Sequence, residues 1–314
     1  MLNRRHIRIK VMQSIFAMHQ NGSDNIEKEE KFLYYSIDNI LDLYLLMLST
    51  LIEISKKEVK FLEQSKNKHL ATAEDKNANT KFIDNAVLGL LSNNHSLLQA
   101  IENRKINNWT MNDDYIILLL KAIKESDVYT QYMRNRKSTF EEDQEFIVSI
   151  FMDVIAANDK LYDYLEDFKL TWVDDIPMVN TQIVKQLKSL KSKDDNSFYV
   201  PKLYKDAEDK DFVTDLFRKT VLNENDFTKE FIDKTPNWDT ERIAEVDTII
   251  LKMAICEFLK FPSIPVKVTI NEYLEIAKEY STPKSSIFIN GILDNLVKEF
   301  QAEKKLLKTG RGLM

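Results

Sequence analysis

Apolar residues recur at helical spacing through most of the chain. Over residues 3–19, Ile7, Val11, Ile15 and Met18 follow one another at four, four and three positions, which is one face of a helix. The turn-forming run Asn21-Gly22-Ser23-Asp24 ends it. A longer stripe runs from Phe32, Leu33, Ile37 and Ile40 through Tyr44 and Leu48 to Ile52. It predicts a helix over 28–64, long enough that a break inside it is expected. Residues 65–80 are polar and read as a mobile loop. Further helices are predicted near 81–92, 95–104, 112–135 and 140–157. The segment from Lys191 to Asn196 reads as a second polar linker.

Helix boundaries are plainest near the C-terminus. Asp239 is placed to cap a helix reaching about Lys260, and Phe261-Pro262-Ser263-Ile264-Pro265 stops it. Thr269 and Glu272 have the spacing of a capping box, with Val268 and Tyr273 as its hydrophobic staple. The helix they open is predicted to run to about Tyr280. Thr282, with Pro283 at the first helical position, is predicted to cap the last helix.

An internal echo accompanies these elements. Phe146, Ile150, Phe151, Leu161, Leu165 and Trp172 have the order and spacing of Phe212, Leu216, Phe217, Phe227, Phe231 and Trp238, each pair 66 positions apart. The pattern fits either a partial duplicate of a helical module or chance agreement between amphipathic helices.

Composition narrows the fold class. The 314 residues include only five glycines and six prolines, where average usage gives about 20 glycines. With 44% hydrophobic and 30% charged residues, the chain reads as an all-α protein able to bury a sizeable core. One cysteine, Cys256, allows no internal disulfide and suits a reducing compartment. The basic N-terminus lacks the apolar core of a secretory signal. Leu43–Ile52, the longest uncharged apolar run, covers about half a membrane span. A cytoplasmic protein is expected.

Catalytic patterns are missing. The glycines are scattered, so no phosphate-cradling or dinucleotide loop is present. The histidines show no zinc spacing with Cys256. Acidic pairs such as Glu141-Glu142 read as solvated helix faces. Nothing supports an enzyme, a metal or a cofactor.

Binding chemistry is present at both ends. The first 20 residues hold Arg4, Arg5, Arg8 and Lys10 and no acid. The three arginines share an arc of roughly 100° on a helix. Cations at a helix N-terminus oppose its dipole by roughly 0.3–1 kcal/mol each. Two readings stand: a phosphate site of guanidinium forks beside free helix amides, or a solubilising cluster. Lys298, Lys304, Lys305, Lys308 and Arg311 form a second basic group, while the formal net charge is −6. Charge is therefore asymmetric along the chain. Gly291 inside a helix costs about 1 kcal/mol relative to alanine, and close approach of another helix is the expected reason. Phe288, one turn earlier, reads as core or as a base-stacking platform.

These residues carry a resemblance. The chain resembles the NusB transcription antitermination family over about 1–20 and 207–300, roughly 115 residues. The matching segments are Ala244-Glu245-Val246-Asp247, Ile250-Leu251-Lys252-Met253-Ala254, Glu257-Phe258, Ile264-Pro265-Val266-Lys267-Val268, Ile270-Asn271-Glu272, Glu275-Ile276-Ala277-Lys278 and Phe288-Ile289-Asn290-Gly291-Ile292-Leu293. Arg4-Arg5, Arg8 and Gln13 match the family's basic helix. The resemblance implies an all-α pair of packed helical bundles without catalysis, here with an additional inserted helical region. It also implies binding of boxA-type leader RNA with NusE, a small-subunit ribosomal protein. The pair would join the RNA polymerase elongation complex and promote processive transcription of ribosomal RNA operons.

Carried over by position, Arg4, Arg5, Arg8, Lys284 and Phe288 would face RNA, and Phe16 and Asp247 would face NusE. Lys284 stands where the family often has an acid, and Ile287 where a basic or polar residue is common. The expected organisation is a basic helix at 1–22 packing with the C-terminal module and an inserted region of unknown role at 23–206. A NusB-like module at 207–305 and a flexible basic tail at 306–314 follow. An alternative is a helical protein-interaction scaffold with weak or lost RNA binding. The NusB-like module of an RNA methyltransferase is disfavoured, because no glycine-rich cofactor domain is present.

Overall fold

The computed structural model describes residues 1–69, 71–192, 198–232 and 244–313. The helices are α1 (Arg4–Gln20), α2 (Ile26–Lys66), α3 (Ala73–Lys76), α4 (Ala86–Asn93), α5 (His95–Asn103), α6 (Asn108–Met111), α7 (Asp113–Glu125) and α8 (Asp127–Tyr132). Next come α9 (Phe140–Ile150), α10 (Asp159–Phe168), α11 (Ile176–Ser189), α12 (Ala207–Leu222), α13 (Glu224–Ile232), α14 (Glu245–Lys260), α15 (Val266–Tyr280) and α16 (Ser285–Ala302). No strand occurs among the described residues, so the fold is all-α. No helix among them is long and apolar enough to cross a membrane.

Helix α2 continues unbroken through 41 residues, so the expected break is not there. The predicted helix over 112–135 is instead divided at Ser126, whose hydroxyl accepts the Tyr129 amide and caps α8. The helix predicted over 140–157 gives way to a π-helical turn at Phe151–Ile155.

The chain forms two compact units. One comprises Met1–Ile37 with Leu203–Met314, the other Asp38–Lys202. Within the second unit, the core gathers on Trp172. Its indole N–H donates to the Asn39 carbonyl (2.8 Å), Lys169 lies over its ring, and Phe168 stacks beside it at 5.4 Å. α9 packs on α4, α8 and α11.

Within the first unit, α14 is the axis. Residues Ile249 to Phe258 are all buried, because α1, α12, α13, α15 and α16 all pack on this one helix. A helix apolar on every side is the expected result.

The echo has a structural counterpart. Phe146, Ile150, Phe151, Leu161, Leu165 and Ile183 are buried on α9, the π turn, α10 and α11. Phe212, Leu216, Phe217, Phe227, Phe231 and Ile249 are buried in the same order on α12, α13 and α14. Trp238 lies outside the described residues, as does Asp239, the expected cap of α14.

Three predicted helix-end details differ. α15 starts at Val266, with Pro265 as an extended N-cap (φ −63°, ψ 142°) that offers no side-chain cap. Thr269 is therefore inside the helix, where its hydroxyl donates to Glu257 (3.1 Å). Glu272 pairs with Arg5 rather than capping. The staple is absent as well, since Val268 is exposed and Tyr273 fully buried. α16 starts at Ser285 rather than Pro283. The Thr282 and Ser285 hydroxyls bond each other at 2.8 Å instead of capping an amide. Finally, Gly291 is exposed, and a Cβ added there meets nothing within 4 Å. Helix packing therefore does not account for it. Gly291→Ala should stabilise the fold by about 0.5–1 kcal/mol, read as a higher midpoint in urea unfolding.

His19 ties the end of α1 to two other helices. Its Nε2 lies 2.9 Å from Glu224 on α13, and its Nδ1 lies 3.1 Å from Glu245 on α14. Carboxylates only accept, so both bonds form only with the imidazolium. The hydrogen bond to Glu224 leads in raising the His19 pKa, and burial and Lys252 oppose it. A raised folded-state pKa stabilises fully below the ordinary value of about 6.5 and loses that contribution as pH rises through the folded value. Thermal melts should therefore show stability falling as pH rises above about 6.5, and His19→Gln should flatten that dependence.

Candidate nucleic-acid interface

The first turn of α1 opens with Asn3, whose side chain accepts the His6 amide at 2.9 Å. That turn carries no acid of its own. The carboxylates that oppose its cations come from α12 and α15. Arg4 Nε lies 3.1 Å from Asp209 and its Nη2 3.6 Å from Glu208. Arg5 forks onto Glu272, with Nε at 2.9 Å and Nη2 at 3.0 Å. Negative charge supplied from neighbouring helices thus offsets the unfavourable placement of cations beside the helix dipole.

Arg8 is different in kind. Its side chain is 2% exposed and grips Glu257, which is 0% exposed, through Nε (2.6 Å) and Nη2 (3.0 Å). The Tyr273 hydroxyl (2.9 Å) and the Thr269 hydroxyl (3.1 Å) donate to the same carboxylate. Every Glu257 oxygen is therefore satisfied, as a buried charge requires. The guanidinium also stands over the Phe212 and Tyr273 rings, at 5.3 and 5.7 Å. Burial drives the Tyr273 phenol well above its ordinary pKa, reinforced by the Glu257 charge, so it stays a donor.

Around these groups lies an open cavity of about 610 Å³. Arg4, Arg5 and Arg8 line it on one side, and Ser263, Ile264, Pro265 and Val268 on the other, with Glu208 and Glu272 at its edges. The start of α15, which has no side-chain cap, borders it through Pro265 and Val268. Exposed guanidinium forks beside an uncapped helix start form an arrangement suited to a phosphate. Arg4 and Arg5 are the accessible members, with side chains 38% and 40% exposed. Arg8 gives its bidentate face to Glu257 and leaves only Nη1 toward Glu272, at 3.7 Å.

The other expected site residues lie elsewhere in the unit. Lys284 is exposed at the N-cap of α16, and Phe288 is half-buried one turn on. Neither lines the cavity. Asp247 is buried on α14. One of its oxygens accepts the Ser285 hydroxyl at 2.7 Å, and the other has no partner among the described residues. Phe16 is half-buried on α1.

Sequence reasoning missed the carboxylates Asp209, Glu257 and Glu272. A signal existed for Glu257: it is a lone acid in an apolar stretch of α14, and such a residue needs a cation.

The NusB family model matches residues 178–298. The transcription antitermination protein NusB of Salinibacter ruber (strain DSM 13855 / M31) is 43% identical over 113 residues, covering 36% of this chain and 70% of that protein. The chain belongs to the NusB family. The corresponding protein of Koribacter versatilis (strain Ellin345) is 38% identical over 111 residues, 35% of this chain and 76% of the relative. That of Chloroherpeton thalassium (strain ATCC 35110 / GB-78) is 40% identical over 109 residues, 35% and 52% of the two lengths. No solved structure matches significantly. The matched segment begins in α11 and ends in α16, so α1 and its arginines join the family module by packing rather than by sequence continuity.

Removing one member of a buried ion pair strands the other. Arg8→Ala should cost about 3–5 kcal/mol in urea unfolding. Arg8→Met combined with Glu257→Gln should recover much of that loss.

Proposed function

We propose that the protein is a non-enzymatic transcription antitermination factor that binds boxA-type leader RNA with NusE. In this reading the pair joins the RNA polymerase elongation complex and promotes processive transcription of ribosomal RNA operons. The observation that carries the RNA part is the cavity where Arg4 and Arg5 stand half-exposed beside an uncapped helix start. Family membership and the names of the relatives support the antitermination role.

Roles follow from exposure. Arg4 and Arg5 contact the phosphates. Arg8, expected from the sequence to touch RNA as well, acts from below by fixing α1 against α14 and α15. Lys284 adds a cation at the exposed start of α16, and Phe288 lies beside it for a base. Phe16 and Asp247 are assigned to NusE. The unpaired oxygen of Asp247 is an acceptor that a partner's N–H would satisfy.

One observation favours a second reading, a protein-interaction scaffold. Arg4, Arg5 and Arg8 face four carboxylates, Glu208, Asp209, Glu257 and Glu272, so the cluster carries no net positive charge. A scaffold would retain protein partners after nuclease treatment and without NusE.

Salt dependence separates the two. Each single-strand phosphate contact contributes about 0.7 to the slope of log affinity against log salt. The protein should bind boxA RNA more weakly as salt rises, and Arg4→Ala with Arg5→Ala should flatten the slope by about 1.4. Binding that is insensitive to salt, or unchanged in the double variant, rules the RNA reading out.

A further inference from the structure

We propose that Glu272 is an internal competitor of RNA at this site. In the free protein its carboxylate holds the Arg5 fork that an RNA phosphate would take, so binding proceeds by exchanging one anion for the other. The inference rests on the RNA reading of the cavity.

The exchange is argued from geometry. Glu272 meets Arg5 through two parallel N–H···O bonds of 2.9 and 3.0 Å, and lies 3.7 Å from Arg8 Nη1. Two oxygens on one guanidinium fork is also how a phosphate binds arginine. The carboxylate therefore stands in the place, and with the charge, of a phosphodiester.

Of the four carboxylates that face the arginines, Glu272 is the one built to leave. Glu257 is fully buried and held by Arg8, Thr269 and Tyr273. Asp209 is nearly buried in the first turn of α12. Glu208 is largely exposed and 3.6 Å from Arg4, so it obstructs little. Glu272 sits at the cavity rim with a side chain 22% exposed, and Arg5 is its only hydrogen-bond partner among the described residues. Turning toward solvent costs it the Arg5 pair and the longer 3.7 Å pair to Arg8, whose buried charge stays neutralised by Glu257. A half-exposed pair of this kind is worth little on its own, so a multivalent RNA can displace it.

Glu272→Gln tests this. The amide keeps the shape and one acceptor and removes the charge. Affinity for a boxA oligonucleotide and for a scrambled RNA of equal length should rise by about tenfold, the scale of one charge-assisted hydrogen bond. Glu279→Gln removes the same charge from an exposed position on α15 away from the arginines, and should change affinity less than about twofold. If Glu272→Gln melts below the assay temperature, Glu272→Asp carries the test. It retracts the carboxylate from the fork and should raise affinity by a few-fold. Glu272→Gln binding both RNAs like wild type, or like Glu279→Gln, overturns the competitor role and leaves the RNA reading standing. No RNA binding by wild type and all variants overturns both.

Discussion

The buried pair of Arg8 and Glu257 decides how the first unit is assembled. A guanidinium and a carboxylate, both almost without solvent, are tolerable only if each is neutralised and each lone pair is used. That condition requires α1, α14 and α15 at once: Arg8 from the first, Glu257 from the second, Thr269 and Tyr273 from the third. Hydrophobic packing alone leaves the rotation of α1 weakly specified, because an apolar stripe of a helix is broad. The pair fixes it. With Arg8 turned inward, Arg4 and Arg5 are carried to the rim, and the start of α15 is brought beside them. The cavity is thus a consequence of a charge that had to be buried correctly.

The second unit shows the same helical logic without that charge. α9, α10 and α11 bury their apolar residues in the order used by α12, α13 and α14. The last helix of each set then differs. α14 is buried almost throughout, whereas α11 buries only Ile176, Val179, Ile183 and Leu187. In the first unit, α15 and α16 cover the helix that in the second unit keeps a polar face. What the echo leaves out includes α15, whose start walls the arginine cavity.

Legibility in the sequence followed the range of the interaction. Helices set by local periodicity, such as α1, α5 and the later part of α14, were visible, as was the all-α class. The arginine cluster was visible because it is contiguous. Its division into one buried and two accessible members was not, since that depends on Glu257 and Glu272, about 250 residues away. Helix starts failed where two local rules competed. The Thr269–Glu272 spacing fits a capping box, but Pro265 starts the helix a turn earlier and releases both side chains for long-range bonds. Gly291 failed for a different reason. Its cost is local, whereas a neighbouring helix that would need it is absent among the described residues.

The C-terminal segment extends the argument to the other end of the chain. The basic residues after α16 read as a flexible tail, but they have a place to go. Lys308 Nζ donates to the carbonyls of Glu257 and Phe261, both at 3.0 Å, where the last turn of α14 leaves acceptors unpaired. Burial pushes the Lys308 pKa down to about 8, against the attraction of Glu257. The Thr309 amide bonds the Pro262 carbonyl, and Gly312 lies so close to it that a Cβ there would sit 1.9 Å from the oxygen. Only glycine permits that approach. Glu257 is therefore held twice, by its carboxylate from Arg8 and by its main-chain carbonyl from Lys308. The turn at Pro262 and Ser263, clamped between the segment and α14, is the same turn that leads into the far wall of the cavity. Residues from both ends of the sequence converge on one glutamate, and the geometry of the arginine site is set from both sides by that convergence.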